Sequence, residues 1–398
     1  MKFLPCFFVL LAFAVAPLSA QRGASIGDVV VGVDKNTIPI RVSANTAELN
    51  DLALRAFGAH GRYKLVASGQ AFDVKFTATG ATQVRVDITK GMTATPFASE
   101  TVTGTSARNA LLRAADVAVV KTNGLGLKGF FASKIAFIRD GGKVKEVCTA
   151  DLFFGEAKQI THDNALALMP RWSPDGSKII YTSFYKSGFP DIFLLDVATG
   201  RHETFVSFRG TNQGARFSPS GQQVAMVLSG EGNSEIYTSN AQGRQVSRKT
   251  RSDQVKSSPC WSPDGGRLVF AMGDSLPQLY VMAAGGGAPQ RVVTGFAYAA
   301  EPDWSRADPQ KIACTVRVAG SKYQIAVYNF AKGKAEVVSK ADFDGIEASW
   351  LPDGRHLVYT ARDRTSSVLS ILDTETGQSK RISATNLGPV SQASVLAR

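Results

Sequence analysis

Two carboxylates and two glycine strings are the features of this 398-residue sequence whose residue types and spacing could do chemistry. Glu301 and Glu347 each stand three positions ahead of a tryptophan, Trp304 and Trp350. Brought to one place, such a pair could share general acid and general base work, or hold a cation or a basic segment. The string GASIG at 23–27 matches G-x-S-x-G, but no strand precedes it, so the strained turn of a nucleophile elbow is not expected. GLGLKG at 124–129 matches the dinucleotide fingerprint, yet it follows a helical pattern instead of a strand and reads as a helix end and hinge. His60, His162, His202 and His356 are scattered with no HExxH, and DFDG at 342–345 is too short for a calcium loop, so no metal site is expected.

An internal repeat must position the two carboxylates. The phrases WSPDG at 172–176, FSPSG at 217–221, WSPDG at 261–265, WSRADP at 304–309 and WLPDG at 350–354 place successive aromatics 45, 44, 43 and 46 residues apart. Pro presets φ at the first turn corner, Asp tolerates the second, and Gly supplies positive φ to close a tight hairpin. An apolar run follows each phrase, at 178–181, 223–226, 267–270, 311–314 and 356–359. Third strands are expected at 191–196, 235–237, 278–282, 324–328 and 368–372, and fourth strands at 203–206, 245–246, 290–293, 336–338 and 380–382. Four antiparallel strands in such a period make a propeller blade.

Upstream of the first phrase lie three strands, at 135–138, 146–149 and 158–160, without a leading aromatic one. The missing strand is expected from 391–396, one further period after Trp350, so that the C-terminal strand ties to the first blade and removes its free edge. The fold class is therefore multidomain: a small α/β domain at 21–128, then an all-β six-bladed propeller at 129–398 closed by a velcro strand. In the α/β domain a strand is expected at 28–33 and a helix at 46–57 with Asn45 as cap. Alternation places Val74 and Phe76, then Val84, Val86 and Ile88, on strand faces, and a second helix runs from 107 to 121.

Lys2, an apolar stretch from 3 to 16 and small residues up to Ala20 read as a secretory signal peptide over 1–20, too short to span a bilayer. Cys148, Cys260 and Cys314 remain after it; they form no CxxC and read as buried thiols, with a Cys260–Cys314 disulfide the alternative. The formal charge of +12 divides into Lys2, 13 basic against 8 acidic residues in 21–128, and 31 against 25 in 129–398. With no polybasic stripe and no base-stacking platform, a nucleic-acid partner is excluded in favour of a diffusely basic surface.

In a propeller, the loop leading into each innermost strand opens on the central channel. Three residues ahead of the repeat aromatic stand Met169, Gly214, Ser258, Glu301 and Glu347, so two neighbouring blades aim a carboxylate at one channel level.

With its signal peptide, small α/β domain and W-S-P-D-G phrases, the sequence resembles the TolB family of the Tol-Pal system, most closely from 129 through 292. The resemblance implies a non-catalytic, monomeric periplasmic hub without cofactor or metal. Such proteins bind the outer-membrane lipoprotein Pal at the channel mouth and TolA through the N-terminus. They support outer-membrane integrity and constriction in cell division, and colicins and filamentous phage exploit them. Carried over, the Pal-type site falls on Leu168, Met169, Thr211, Asn212, Gln213, Gly214, Ser257, Ser258, Ala300, Glu301, Ile346 and Glu347. The TolA segment falls by position on Gln21, Arg22, Ile26 and Asp28. Thr211 stands where some members carry a His, and the N-terminal domain is shorter than usual. The rival readings are a propeller hydrolase or peptidase-accessory propeller using Glu301 and Glu347, and a peptidoglycan- or carbohydrate-binding propeller.

Overall fold

The computed structural model describes residues 37–396. The expected signal peptide, the strand at 28–33, GASIG, and Gln21, Arg22, Ile26 and Asp28 lie outside the described residues. The N-terminal domain runs β1 (Ile38–Ala44), α1 (Ala47–Gly58), β2 (Tyr63–Leu65), β3 (Phe72–Gly80), β4 (Gln83–Lys90), β5 (Thr95–Thr103) and α2 (Ala107–Thr122). The sheet order is β2-β1-β3-β4-β5, with β1 parallel to both neighbours. Alternation works as expected, since Val74, Phe76, Val84, Val86 and Ile88 are all buried. Leu49, Leu52, Ala53, Ala56 and Phe57 recur at helical spacing and form the buried face of α1. Its cap is Thr46, not Asn45: Thr46 Oγ1 accepts the Leu49 N–H, whereas Asn45 Oδ1 accepts the Ala78 N–H and ties the helix start to the sheet.

Six four-stranded sheets follow. Blade 1 comprises Lys134–Asp140, Lys145–Asp151 and Lys158–Gln159, and its innermost strand is Val390–Leu396, which pairs antiparallel with Lys134–Asp140. The expected velcro closure is therefore present. Blades 2 to 6 begin with innermost strands Ala167–Trp172, Asn212–Phe217, Lys256–Trp261, Ala299–Trp304 and Asp344–Trp350. One strand differs from expectation: the outer strand of blade 3 is Ser247–Arg248, displaced from 245–246 because Gln245 takes φ 56° and leaves the extended region. Arg248 there pairs with Glu231 and the fully buried Glu235, so an ion-pair network holds this edge of the blade.

The repeat phrase does more than turn. Ser173 Oγ donates to Asp175 and accepts the Lys178 N–H, and Gly176 (φ 73°) donates its N–H to the Ser173 carbonyl. Trp172, Trp261 and Trp350 donate their indole N–H to Ser394, Arg216 and Asp303 carbonyls of the preceding blade, at 3.1, 3.0 and 2.9 Å. The tryptophan is thus a staple between blades, which apolar burial alone would not require.

Interdomain contacts are extensive and apolar, with Phe57, Phe130 and Phe131 in one cluster with Phe137, Leu351 and Val358 of the propeller. Asp116 on α2 accepts the N–H groups of Phe131 (2.6 Å) and Ala132 (3.0 Å), and Arg108 grips Asp151 with two bonds of 3.0 Å. Cys148, Cys260 and Cys314 are buried free thiols, as the burial argument expected. Among the described residues no helix is long and apolar enough to cross a membrane.

Candidate functional site

All six innermost strands break register at the same place, on the residue three positions before the repeat aromatic or, in blade 1, before Val395. That residue is left-handed in every blade: Gln392 (φ 58°), Met169 (55°), Gly214 (65°), Ser258 (53°), Glu301 (54°) and Glu347 (56°) in blades 1 to 6. Only one of the six is glycine, so five side chains are held in a conformation costing roughly 1 kcal/mol or more each. Such bulges re-aim side chains. Here they turn all six into a common chamber of about 50 Å³ at one end of the channel.

Side chains at this level link blade 5 to 6, 6 to 1, 1 to 2 and 2 to 3. Glu301 Oε2 accepts the Glu347 N–H at 3.1 Å and Thr315 Oγ1 at 2.7 Å. Glu347 accepts from the Gln392 side-chain amide at 3.0 Å, from the Gln392 N–H at 3.2 Å and from Thr360 at 2.9 Å. Gln392 Oε1 then accepts the Met169 N–H at 2.7 Å, and Thr182 accepts the Gly214 N–H at 3.2 Å. Desolvation in the channel, and then the neighbouring Glu347 charge, push the Glu301 carboxyl up to about 7.

Two positions further on lies a lower ring: Ser394, Arg171, Arg216, Cys260, Asp303 and Ser349 in blades 1 to 6. Four of them accept the next blade's N–H: Cys260 from Trp304, Asp303 from Trp350, Ser349 from Val395 and Ser394 from Trp172. The other two are arginines and cannot accept. Arg216 reaches across blade 4 to Asp303 at 2.7 Å, which holds its guanidinium firmly charged. Among the described residues, Arg171 donates only to its neighbour's carbonyl, Pro170 O, at 2.9 Å, and makes no ion pair. Burial and the Arg216 charge depress it to about 10. Both guanidinium groups border the upper chamber and a second one of about 80 Å³ on the side of the repeat phrases.

Of the residues expected at the mouth, the structure brings Met169, Gly214, Ser258, Glu301 and Glu347 together around the upper chamber. Leu168, Thr211, Gln213 and Ser257 flank it, partly exposed. Asn212, Ala300 and Ile346 are buried. Asn212 is spent inside its loop, donating to the carbonyls of Phe208 and Pro190, and cannot serve as a contact surface. Gln392 and the whole lower ring were missed. The period pointed to Gln392, which lies as far beyond Glu347 as the blades are apart, but Val395 replaces the aromatic that marks the other blades.

One cluster could not be foreseen. His60, on the loop after α1, and His356, in blade 6, meet at the domain junction with ring centroids 4.4 Å apart, both fully buried. With Asp353 they are the one group of three ligand-type residues, among those described, whose donor atoms lie within 4.8 Å of one another. Three of the four ring nitrogens are engaged, however, and with Nδ1 accepting, His60 Nε2 carries the proton and is left without a partner among the described residues. His356 Nε2 accepts the Gly61 N–H, its Nδ1 pairs with Asp353 at 2.5 Å, and His60 Nδ1 accepts the Arg62 N–H. The cluster is a joint between domains, and the donor set does not suit a metal.

A bulged ring of six blades capped by an α/β domain, with its channel carboxylates spent on holding neighbouring blades, defines a six-bladed propeller protein of the two-domain kind. The chain belongs to the TolB beta propeller domain family, which it matches over residues 124–394. It is 32% identical over 145 residues to the protein TolB homolog of Chlorobium chlorochromatii, and 36% identical over 127 residues to the Tol-Pal system protein TolB of Desulfosudis oleivorans. These stretches cover 36% and 32% of this chain, and only 32% and 28% of the relatives' own lengths. The crystal structure of TolB from Acinetobacter baumannii has the same fold, with a TM-score of 0.80 at 23% identity, covering 94% of this chain and all of that one.

Proposed function

We propose that this chain is a non-catalytic periplasmic hub of a Tol-Pal-type system, which binds an outer-membrane lipoprotein of the Pal kind at the upper channel mouth. The sixfold left-handed bulge carries the reading. It builds a rigid mouth whose lining is set before any partner arrives, so binding there costs little ordering. Leu168, Met169, Thr211, Gln213, Gly214, Ser257, Ser258, Glu301 and Glu347 are the contact set. Coupling to TolA through 21–28, and a part in envelope integrity and constriction, follow from the same family reading. Hydrolysis is disfavoured because both Glu347 oxygens and Glu301 Oε2 already accept bonds that tie neighbouring blades together, so the two carboxylates are not free as an acid and base pair.

Cross-linking in intact cells tests the proposal. Recovery of an outer-membrane lipoprotein on the intact chain, and its loss with Glu347→Lys, is expected. Equal recovery from both, with the variant folded, would show that the mouth is not the site.

A further inference from the structure

The second chamber lies at the opposite end of the channel from the proposed lipoprotein site, and its chemistry differs. Of the six lower-ring residues that border it, Asp303 is the sole carboxylate, and both its oxygens are taken, by Arg216 and by the Trp350 N–H. Ser349 and Ser394 are spent on the next blades' N–H groups. Arg171 is left with one hydrogen bond, to Pro170 O, out of the five that a guanidinium can donate. Arg306, exposed on the phrase of blade 5, adds a second positive charge at the chamber wall. Asp303 and Glu347 lie near enough to favour the Arg171 charge, but neither bonds it. A partly buried charge without a bonded counter-ion is costly, and a planar donor fork is matched by a carboxylate or an oxyanion. The room, about 80 Å³, is several times the roughly 10–15 Å³ that one water needs, so a small oxyanion or a carboxylate fits.

We propose that this chamber is an anion-binding site, in which Arg171 takes a small oxyanion or a single carboxylate with Arg306 assisting at the wall. The anion supplies the bonded counter-charge that Arg171 of blade 2 lacks, since Arg216 of blade 3 already has Asp303. It is separated from the upper mouth by the two guanidinium groups themselves. The site therefore stands whether or not a lipoprotein binds at the other end.

All four tryptophans of the chain line this chamber, so their emission reports on it directly. Inorganic phosphate titrated into the purified full chain, at constant ionic strength against chloride, should change tryptophan emission saturably. Arg171→Gln should weaken the apparent affinity at least tenfold, Arg171→Lys less, and Arg244→Gln on the outer edge of blade 3 not at all. Circular dichroism checks that each variant is folded. A short glutamate-containing peptide separates the two sources of the anion: competition with phosphate assigns the seat to a protein carboxylate as well, and failure to compete assigns it to free ions. An emission unchanged by phosphate, or changed equally in folded Arg171→Gln, would overturn the proposal. If Arg171→Gln does not fold, the wild-type titration still decides, since the absence of saturation alone is sufficient to reject the site.

Discussion

Arg216 of blade 3 and Asp303 of blade 5 meet across the channel at 2.7 Å, passing over the intervening blade. Asp303 also holds the Trp350 N–H, so one carboxylate serves both as counter-charge and as link to blade 6. Asp303→Asn would leave Arg216 beside Arg171 with neither ionised partner, and the expected loss is about 3–5 kcal/mol of folding stability. Chemical denaturation measures it. Adding Arg216→Met should restore part of the loss, because the unpaired charge goes with it.

Glu301 gives stability a pH dependence of definite sign. Its carboxyl titrates at about 7 in the folded chain, above its ordinary value near 4.5, so the folded state holds a proton that the unfolded state has released. Stability should fall as pH rises between those values. Glu301→Gln keeps an oxygen for the Glu347 N–H and should flatten this part of the profile. Unfolding midpoints from pH 4.5 to 8 decide it, and an unchanged slope in the variant would locate the effect elsewhere.

His60 acts in the opposite direction. Burial, and then the adjacent His356, drive its pKa well below 6.5, against the opposing pull of Asp353 and Asp373 and with Arg355 adding to the depression. The unfolded state therefore binds the proton first, and stability should be lost as pH falls below about 6.5. Asp373, held at about 2 by His356 and Arg355 despite its burial, adds a second loss at lower pH. His60→Phe should remove the first loss and leave the second, as read by thermal unfolding at pH 5 against pH 7.5.

Gly61 is fixed by space. A Cβ there would overlap the Asp373 carboxylate, which is already gripped by Arg355. Gly61→Ala should cost about 1–3 kcal/mol. It should also open the domain junction, seen as faster proteolysis at 124–129 than in the parent chain.

The repeat period made the propeller, the closing strand and five of the six upper-ring positions legible in the sequence, because turn chemistry and aromatic spacing are local signals. The left-handed bulge was not, since Met169, Ser258, Glu301, Glu347 and Gln392 are residue types that give no hint of positive φ. The neighbouring carboxylates were legible as a pair aimed at one channel level, yet they are structural acceptors, a role that depends on which backbone N–H groups the blade packing brings to them. The histidine joint was invisible for a different reason. Gly61 and His356 lie 295 positions apart, and no periodic signal connects a loop of one domain to a blade of the other.

The pairing of Val390–Leu396 with Lys134–Asp140 sets an order of events in folding. Blade 1 begins the ring but can complete its sheet only when the last of these strands has been synthesised. Until then Lys134–Asp140 presents bare backbone donors and acceptors, while five finished blades accumulate beside it. A chain of this design stays open to capture by a holding factor, and to mispairing with another copy, until its last strand joins the ring. Ring closure then acts as a completeness check, because a chain interrupted before 390 has no means of hiding that edge.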